Sequence, residues 1–152
     1  MQLTKPRSHS TAFSLVELMI AVGLFAVSAA ASIGGLIRMN HNAALSRLQT
    51  GASTLVQNRI DQILGDVPFS PAKSQIPPVL EVGTQTIGSS SNPTVAVYTD
   101  PASGQVSVWG WLISTVADTG ALSTRQATVS VFYQFRGQTY SVTMDTVRTP
   151  DE

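Results

Sequence analysis

Apolar residues are concentrated at one place in the chain, residues 18–37, where no charged side chain interrupts them. At about 1.5 Å per residue, an α-helix of this length covers about 30 Å, which is the thickness of the hydrocarbon core of a bilayer. The pattern therefore predicts a transmembrane helix over residues 13–37. Gly23, Gly34 and Gly35 lie within it, and such small residues allow a second helix to approach closely or the helix itself to bend.

Two other interpretations of this apolar segment remain open from the residues alone. The apolar region of a secretory signal peptide is about 7 to 15 residues long, which is shorter than this one, and its cleavage would have to fall near Ala31. A buried helix of a soluble domain needs a surrounding core, and a chain of 152 residues is too short to supply one. The transmembrane interpretation is therefore favoured.

The residues that follow the apolar segment predict a helical continuation that is amphipathic. Over residues 38–65 the apolar positions recur at spacings of three and four, which places them on one face of an α-helix. Gly65 and Pro68 are expected to end the helix, because glycine is frequent just after a helix and proline cannot continue one. The face expected to cover a sheet consists of Leu45, Leu48, Ala52, Leu55, Val56, Ile60 and Ile63.

Alternating apolar and polar residues in the rest of the chain predict antiparallel strands. Residues 94–98 and 105–114 are separated by a turn that contains proline and glycine, and residues 127–135 and 138–147 form the clearest hairpin. The chain is therefore predicted to be an α+β protein. A long N-terminal helix, first transmembrane and then amphipathic, packs on a small antiparallel β-sheet.

Two shorter segments complete the predicted β region. Residues 79–82 and 84–87 are expected to form a small hairpin around Gly83. Residues 116–124 are expected to form a loop, because they contain the turn-forming sequence Asp-Thr-Gly.

Composition excludes several classes of function. The formal net charge is zero, so the chain has no basic field that would attract nucleic acid. It has no cysteine, which excludes disulfides, thiolate metal sites and cysteine nucleophiles. The two histidines, His9 and His41, are accompanied by no Ser-His-Asp set and no metal-binding spacing. We therefore predict that the protein is not an enzyme and has no cofactor and no metal site.

Two pairs of residues have an alternative, functional interpretation. Asp100 and Asp118 carry carboxylates of the kind that bind Ca²⁺, but the sequence around them lacks the dense oxygen ligands of a calcium loop, and turn formation is favoured. Trp109 and Trp111 would suit an exposed aromatic platform for a ligand, although such residues more often pack in a sheet or contact another subunit.

The residues in front of the apolar segment form a specific pattern. Residues 1–12, MQLTKPRSHSTA, are polar and basic and include no acidic residue. Ala12 stands directly before Phe13, and Glu17 follows at the fourth position after that phenylalanine. This order of basic leader, small residue, aromatic residue, glutamate and membrane span resembles the start of type IV prepilins and type II secretion pseudopilins.

The resemblance implies a role for each of these residues. A membrane-bound prepilin peptidase cuts such chains after the small residue, here Ala12, and methylates the new amino terminus, here Phe13. The glutamate, here Glu17, attracts the terminal amine of a neighbouring subunit as a helical filament grows. Both charges are costly in lipid, and opposite charges attract strongly where the dielectric constant is low. The family usually has glycine where this chain has Ala12, and alanine is the mildest replacement for it.

The resemblance and the residue patterns together predict the organisation of the chain. Residues 1–12 are the leader, 13–37 the transmembrane helix, 38–65 its amphipathic continuation and 66–152 an antiparallel β domain. The basic leader is expected to stay in the cytoplasm under the positive-inside bias. The chain would then cross the bacterial inner membrane once, with its β domain in the periplasm, or outside the cell after assembly.

We therefore predict a pilin-like structural subunit, a minor pilin or pseudopilin of a type II secretion system or type IV pilus. Its expected partners are the prepilin peptidase, other pilin or pseudopilin subunits, the inner-membrane assembly platform and the lipid bilayer, but not nucleic acid. The lack of cysteine favours a minor subunit, because many major pilins brace their C-terminal region with a disulfide. The alternatives are a non-polymerising single-pass membrane-anchored binding or sensor domain, and a secreted enzyme cut near Ala31.

Overall fold

The computed structural model of the chain describes residues 14–65, 68–70, 76–120 and 124–151. Contacts divide the chain into two units, one up to Asn42 and one from Ala43 onwards, and each is described by itself. The helix α1 (Leu15–Gly65) is followed by one 3-10 turn (Pro78–Leu80). The strands are β1 (Gly83–Ile87), β2 (Val95–Thr99), β3 (Val106–Asp118), β4 (Arg125–Phe135) and β5 (Gln138–Arg148).

The first unit is the N-terminal part of α1, and its apolar side chains are exposed. Its length and composition are sufficient to cross a membrane, with a mean hydropathy of 2.1 in the most apolar window. Two hydroxyl groups in this segment donate back to the helix, from Ser28 Oγ to the Leu24 carbonyl at 2.8 Å and from Ser32 Oγ to the Ser28 carbonyl at 2.9 Å. These bonds satisfy polar groups that would otherwise be costly to place in lipid.

The second unit contains one five-stranded antiparallel sheet, and β3 is its central strand. The order is β1-β3-β4-β5, and β2 pairs with the first half of β3 while β1 pairs with the second half. The C-terminal part of α1 packs on one face of this sheet. The predicted α+β arrangement of a long helix on an antiparallel sheet is confirmed.

The contact between helix and sheet follows the apolar face that the sequence predicts. Leu48, Ala52, Val56, Ile60 and Ile63 of α1 are buried, whereas Leu45 and Leu55 are half-buried at the margin of this face. Each fully buried aliphatic side chain stabilises the fold by about 1.5–3 kcal/mol. The sheet contributes Val97, Leu112, Val116, Ala127, Val129, Val131 and Tyr133 to the same core.

The β4–β5 hairpin is confirmed, and so is its turn. Arg136 and Gly137 connect the strands with φ angles of 51° and 78°. Two consecutive positive φ angles are typical of the type I′ turn, whose twist matches that of a two-stranded ribbon. The two-residue connection fixes the register of the hairpin, in which Phe135 pairs with Gln138. Every second residue of β4 faces the helix, as the pleat of a strand requires.

The predicted hairpin of residues 79–82 and 84–87 is wrong. Residues 78–80 form the 3-10 turn, in which the Leu80 amide donates to the Pro77 carbonyl at 2.8 Å and the Leu80 side chain is fully buried. Consecutive prolines lack the amide hydrogens that a strand ladder needs and have φ angles suited to such a turn. β1 pairs with β3 instead.

The predicted loop over residues 116–124 is wrong in its first part, because β3 continues to Asp118. Val116 pairs with Gly83 on one side and with Ala127 on the other, and its side chain is 1% exposed. Two flanking strands therefore extend β3 beyond the point where local turn residues suggest its end. Residues 121–123 of the predicted loop lie outside the described residues.

A close approach between helix and sheet explains the glycine in the middle of the amphipathic helix. The ladder between β2 and β3 shifts register between Ala96 and Tyr98, so Val97 lies in a bulge. The Val97 carbonyl lies so close to Gly51 that no Cβ atom fits there, and Gly110 on β3 is similarly enclosed by the Phe132 carbonyl and a Val97 methyl group.

Replacing Gly51 by alanine is expected to destabilise the second unit by about 1–3 kcal/mol, although alanine is the better helix former. The added methyl group meets a backbone carbonyl, so α1 must move away from β2. Thermal unfolding of the full chain in detergent measures the loss. Gly65→Ala is the control, because its Cβ position is open. Equal unfolding temperatures for the two variants would contradict the proposed clash.

Candidate functional site

The structure places Glu17 in the first turn of α1, which begins at Leu15. Ser14 precedes the helix, and its carbonyl accepts a hydrogen bond from the Leu18 amide at 3.1 Å. A carboxylate in this position interacts favourably with the positive end of the helix dipole. Ala12 and Phe13, where cleavage and methylation are predicted, lie outside the described residues.

The three glycines of the predicted membrane span remain open to a neighbouring helix. Apart from the neighbouring residues and the backbone of the same helix, no atom lies within 4 Å of the Cβ position that a larger residue would have at Gly23, Gly34 or Gly35. The helix is continuous through all three positions. Helix packing therefore remains a prediction for these residues, and so does bending.

Asp100 and Asp118 serve as turn residues. Asp100 accepts hydrogen bonds from the Ala102 amide at 3.1 Å and from Ser103 Oγ at 2.8 Å, and the Ala102 bond is the main reason that its pKa is lowered. Asp118 accepts from the Gly120 amide at 2.8 Å, which is the main cause of its lowered pKa. Asp100 precedes β3 and Asp118 is its last residue, so the two carboxylates lie at opposite ends of this 13-residue strand and do not share a ligand.

The described residues contain no group of three or more histidine, cysteine or acidic side chains arranged to hold a metal ion. Each aspartate accepts a hydrogen bond from the backbone amide two residues further on, as turn formation predicts.

Trp109 and Trp111 lie on the face of β3 that points away from the helix. The Trp111 ring stacks on Phe132 of β4, with a centroid distance of 5.5 Å and an angle of 10° between the ring planes. Trp109 keeps 46% of its surface exposed. Packing within the sheet therefore accounts for Trp111 but leaves Trp109 open to solvent.

The sequence analysis missed a charged cluster at the C-terminal end of α1. Phe69 is fully buried next to Arg125 and Arg148, and each guanidinium carbon lies over its ring at 5.9 Å from the centroid. The two arginines face each other in the register of β4 and β5 and are each 7% exposed. We call Phe69, Arg125, Arg148 and Asp151 the arginine clamp.

Hydrogen bonds of the arginine clamp join the helix end to the residues after β5. Arg148 donates from Nη1 to the Ile63 carbonyl at 2.6 Å and from Nη2 to Asp151 Oδ2 at 2.9 Å. The Phe69 amide donates to the same Asp151 oxygen at 2.7 Å, and the Asp151 amide donates to the Phe69 carbonyl at 2.8 Å. The bond from the Phe69 amide is the main cause of the lowered pKa of Asp151, and Arg148 adds to it.

The second arginine of the clamp is paired with the end of β3. Arg125 forms a salt bridge with Asp118, whose carboxylate is partly exposed.

The other arginine, Arg148, lies at the C-terminal end of α1, where a cation interacts favourably with the helix dipole. This interaction adds to the hydrogen bond between Arg148 and the Ile63 carbonyl. The clamp therefore connects α1, β3, β4 and β5 without a covalent bond.

A signal for the clamp is present in the alternation of the strands. Odd-numbered residues of β4 and even-numbered residues of β5 face the helix, and the same alternation puts Arg125 and Arg148 on the inner face. Charged residues at inward positions of neighbouring strands indicate a buried polar contact, because an unpaired charge there is costly. The identity of the partner ring, Phe69, cannot be obtained from this pattern.

The family model for the prokaryotic N-terminal methylation motif matches residues 7–33. This segment includes Ala12, Phe13, Glu17 and Gly23, and it ends before Gly34. No curated protein and no solved structure gave a significant match.

The chain therefore carries the prepilin-type cleavage and methylation motif of type IV pilins and pseudopilins. The motif implies processing by prepilin peptidase, and proteins of this pilin-like kind are typically structural rather than enzymatic. The motif and the exposed apolar helix are consistent with an inner-membrane anchor.

Proposed function

We propose that this pilin-like protein is a minor pilin or pseudopilin of a type II secretion system or a type IV pilus. The observation that carries the proposal is the match of residues 7–33 to the methylation motif, followed by an apolar helix that continues into a helix-on-sheet unit. The chain is inserted in the inner membrane, processed, and assembled with other subunits into a helical filament by a membrane platform.

Each residue of the motif has one proposed role. The peptidase cuts after Ala12 and methylates the amine of Phe13. The carboxylate of Glu17 then pairs with the terminal amine of a neighbouring subunit, so that two charges that are each costly in lipid compensate each other. Gly23, Gly34 and Gly35 leave a shallow surface on the helix, and this surface allows close contact between helices in the filament.

The proposed topology follows from charge. Lys5 and Arg7 precede the span, whereas Arg38 alone follows it closely, so the leader stays in the cytoplasm and the β domain is periplasmic. After assembly the β domain would decorate the surface of the filament.

The arginine clamp supports a structural role for the β domain without a disulfide. A filament subunit must keep its folded domain intact under mechanical load, and this chain has no cysteine with which to brace it. The clamp supplies a non-covalent brace between the helix end and the last strand. A minor subunit remains our preferred assignment.

The proposal is tested by intact mass and N-terminal sequencing of the membrane-inserted protein, with and without co-expressed prepilin peptidase. We expect a mature chain that begins at Phe13 and carries one extra methyl group only when the peptidase is present. A mature chain that begins at any residue other than Phe13 would contradict the motif assignment. A leader retained under both conditions would favour a non-polymerising, membrane-anchored binding or sensor domain.

A further inference from the structure

The outer face of the sheet, which points away from α1, carries a cluster of three aromatic side chains. Trp111 and Phe132 stand directly opposite each other on β3 and β4, and their rings are nearly parallel. Trp109 lies two residues earlier on the same face of β3 and is 46% exposed. We call these three side chains the aromatic patch. Neither the proposed assembly role nor the core of the fold requires Trp109 to be exposed there.

The aromatic patch is bordered by neutral polar groups. Ser141 on β5 pairs with Phe132 on β4. In the next outward-facing row, Ile113 pairs with Ser130, and Ser130 pairs with Thr143. The hydroxyl oxygens of Ser130 and Thr143 are 2.8 Å apart. Among the described residues of β3, β4 and β5 that face outward, Asp145 alone is ionisable. The neutral hydroxyl and amide side chains on this face are Ser107, Thr115, Gln126, Thr128, Ser130, Gln134, Thr139, Ser141 and Thr143.

We propose that the aromatic patch binds a neutral carbohydrate chain. A pyranose ring presents a face of C–H groups with partial positive charge, and the face of an aromatic ring is negative, so the two stack. The hydroxyl groups at the edge of the sugar then meet donors and acceptors such as Ser130, Gln134 and Ser141. Trp109 and Trp111 are two residues apart on one face of β3, a separation of about 7 Å. This exceeds the length of one pyranose ring, which favours a chain over a single sugar.

Charge argues against nucleic acid on this face. Single-stranded nucleic acid also stacks on aromatic rings, but its binding depends on lysine and arginine side chains placed along the path of the phosphate backbone. The outward-facing described residues of β3, β4 and β5 include no lysine or arginine, and their single ionisable group, Asp145, would repel phosphate.

The size of the patch argues against a second copy of this chain as the occupant. The surface that its three aromatic side chains leave exposed amounts to roughly 300 Å² at most, given about 150–250 Å² for each whole side chain. A stable interface between proteins buries about 800 Å² on each partner, and its centre is more apolar than its surroundings. The side chains that surround the patch on this face are mostly serine, threonine and glutamine, which suit a hydroxyl-rich ligand better.

The chain itself supplies the reporter for a binding test, because its two tryptophans are both in the patch. The full chain is held in a detergent without a sugar headgroup and titrated with maltohexaose, cellohexaose and chitohexaose. We expect at least one of the three to change tryptophan emission in a saturable way. Trp109→Thr should weaken that binding at least about tenfold, with Trp111 as the remaining reporter.

Two control variants separate ring stacking from general effects on the sheet. Trp109→Tyr keeps a flat ring and should bind within about threefold of the natural protein. Val147→Ala removes an apolar side chain that is 57% exposed at the far end of the same face, and it should leave binding unchanged. Threonine is favoured in strands, so Trp109→Thr should retain the natural unfolding temperature.

Three results would overturn the proposal. The first is no saturable change with any of the three hexasaccharides. The second is equal binding by the natural protein and Trp109→Thr. The third is an emission change with another cause. A change that follows protein concentration alone would identify a second copy of the chain as the occupant. A change produced by oligothymidylate and not by saccharides would identify single-stranded nucleic acid. The test does not depend on filament assembly, so it stands apart from the proposed function.

Discussion

Glu17→Gln is expected to insert into the membrane as well as the natural protein but to enter filaments at least about tenfold less. Glutamine has nearly the same shape and keeps the first turn of α1 intact, so the change removes only the negative charge. Two unit charges 4 Å apart attract by about 4 kcal/mol at an effective dielectric constant of 20, whereas a tenfold loss requires only about 1.4 kcal/mol. Pairing with the amine of Phe13 on a neighbouring subunit is therefore sufficient to account for the effect.

The measurement is the ratio of this protein in sheared filaments to that in membranes, in cells that assemble the filament. Glu81→Gln is the matched control, because it makes the same substitution at an exposed position of the second unit. The mature mass must be the same for both variants, so that a defect in cleavage is not mistaken for a defect in assembly. Incorporation of Glu17→Gln at the natural level would refute the assigned role.

Arg148→Ala is expected to destabilise the second unit by about 3 kcal/mol. The substitution leaves the carbonyl of the fully buried Ile63 without its guanidinium donor, which costs about 1–3 kcal/mol. It also removes the planar group that packs on one side of Phe69, and the space left behind adds a cavity term. The pair with Asp151 contributes less, because that carboxylate is 53% exposed.

Thermal unfolding of the full chain, followed by tryptophan fluorescence in detergent, measures this loss. A destabilisation of 3 kcal/mol lowers the midpoint by about 10–20 °C in a domain of this size. Arg136→Ala is the control, since its guanidinium lies over the Phe135 ring but on an exposed turn, and a shift of no more than a few degrees is expected. A similar shift for both arginines would show that burial of the clamp does not matter for stability.

Alternation of apolar and polar residues was sufficient to predict β4, β5 and most of β3. One face of these strands packs on α1 and the other meets solvent, so the period of two is visible in the sequence. The same reasoning failed where local and long-range preferences disagree. The Asp-Thr-Gly sequence suggests an early end to β3, but β1 and β4 together extend the strand to Asp118.

The two candidate sites differ in how much of them is local in sequence. The methylation motif occupies one continuous segment, and its residues are recognisable without any fold. The arginine clamp assembles Phe69, Arg125, Arg148 and Asp151 from three separate regions. The position of the two arginines opposite each other depends on the register of β4 and β5, and the position of the Phe69 ring depends on where α1 ends.

The arginine clamp also has a consequence for the order of folding. Its hydrogen bonds join residues that are 82 and 85 positions apart, from Phe69 to Asp151 and from Ile63 to Arg148. The entropy of closing such loops has to be lost before the contacts form, and proteins dominated by contacts of this range fold slowly. In the proposed topology the membrane helix is inserted first, so the apolar face of α1 stays uncovered until β3, β4 and β5 have formed. The domain should therefore pass through an interval in which it is exposed to proteases and to aggregation.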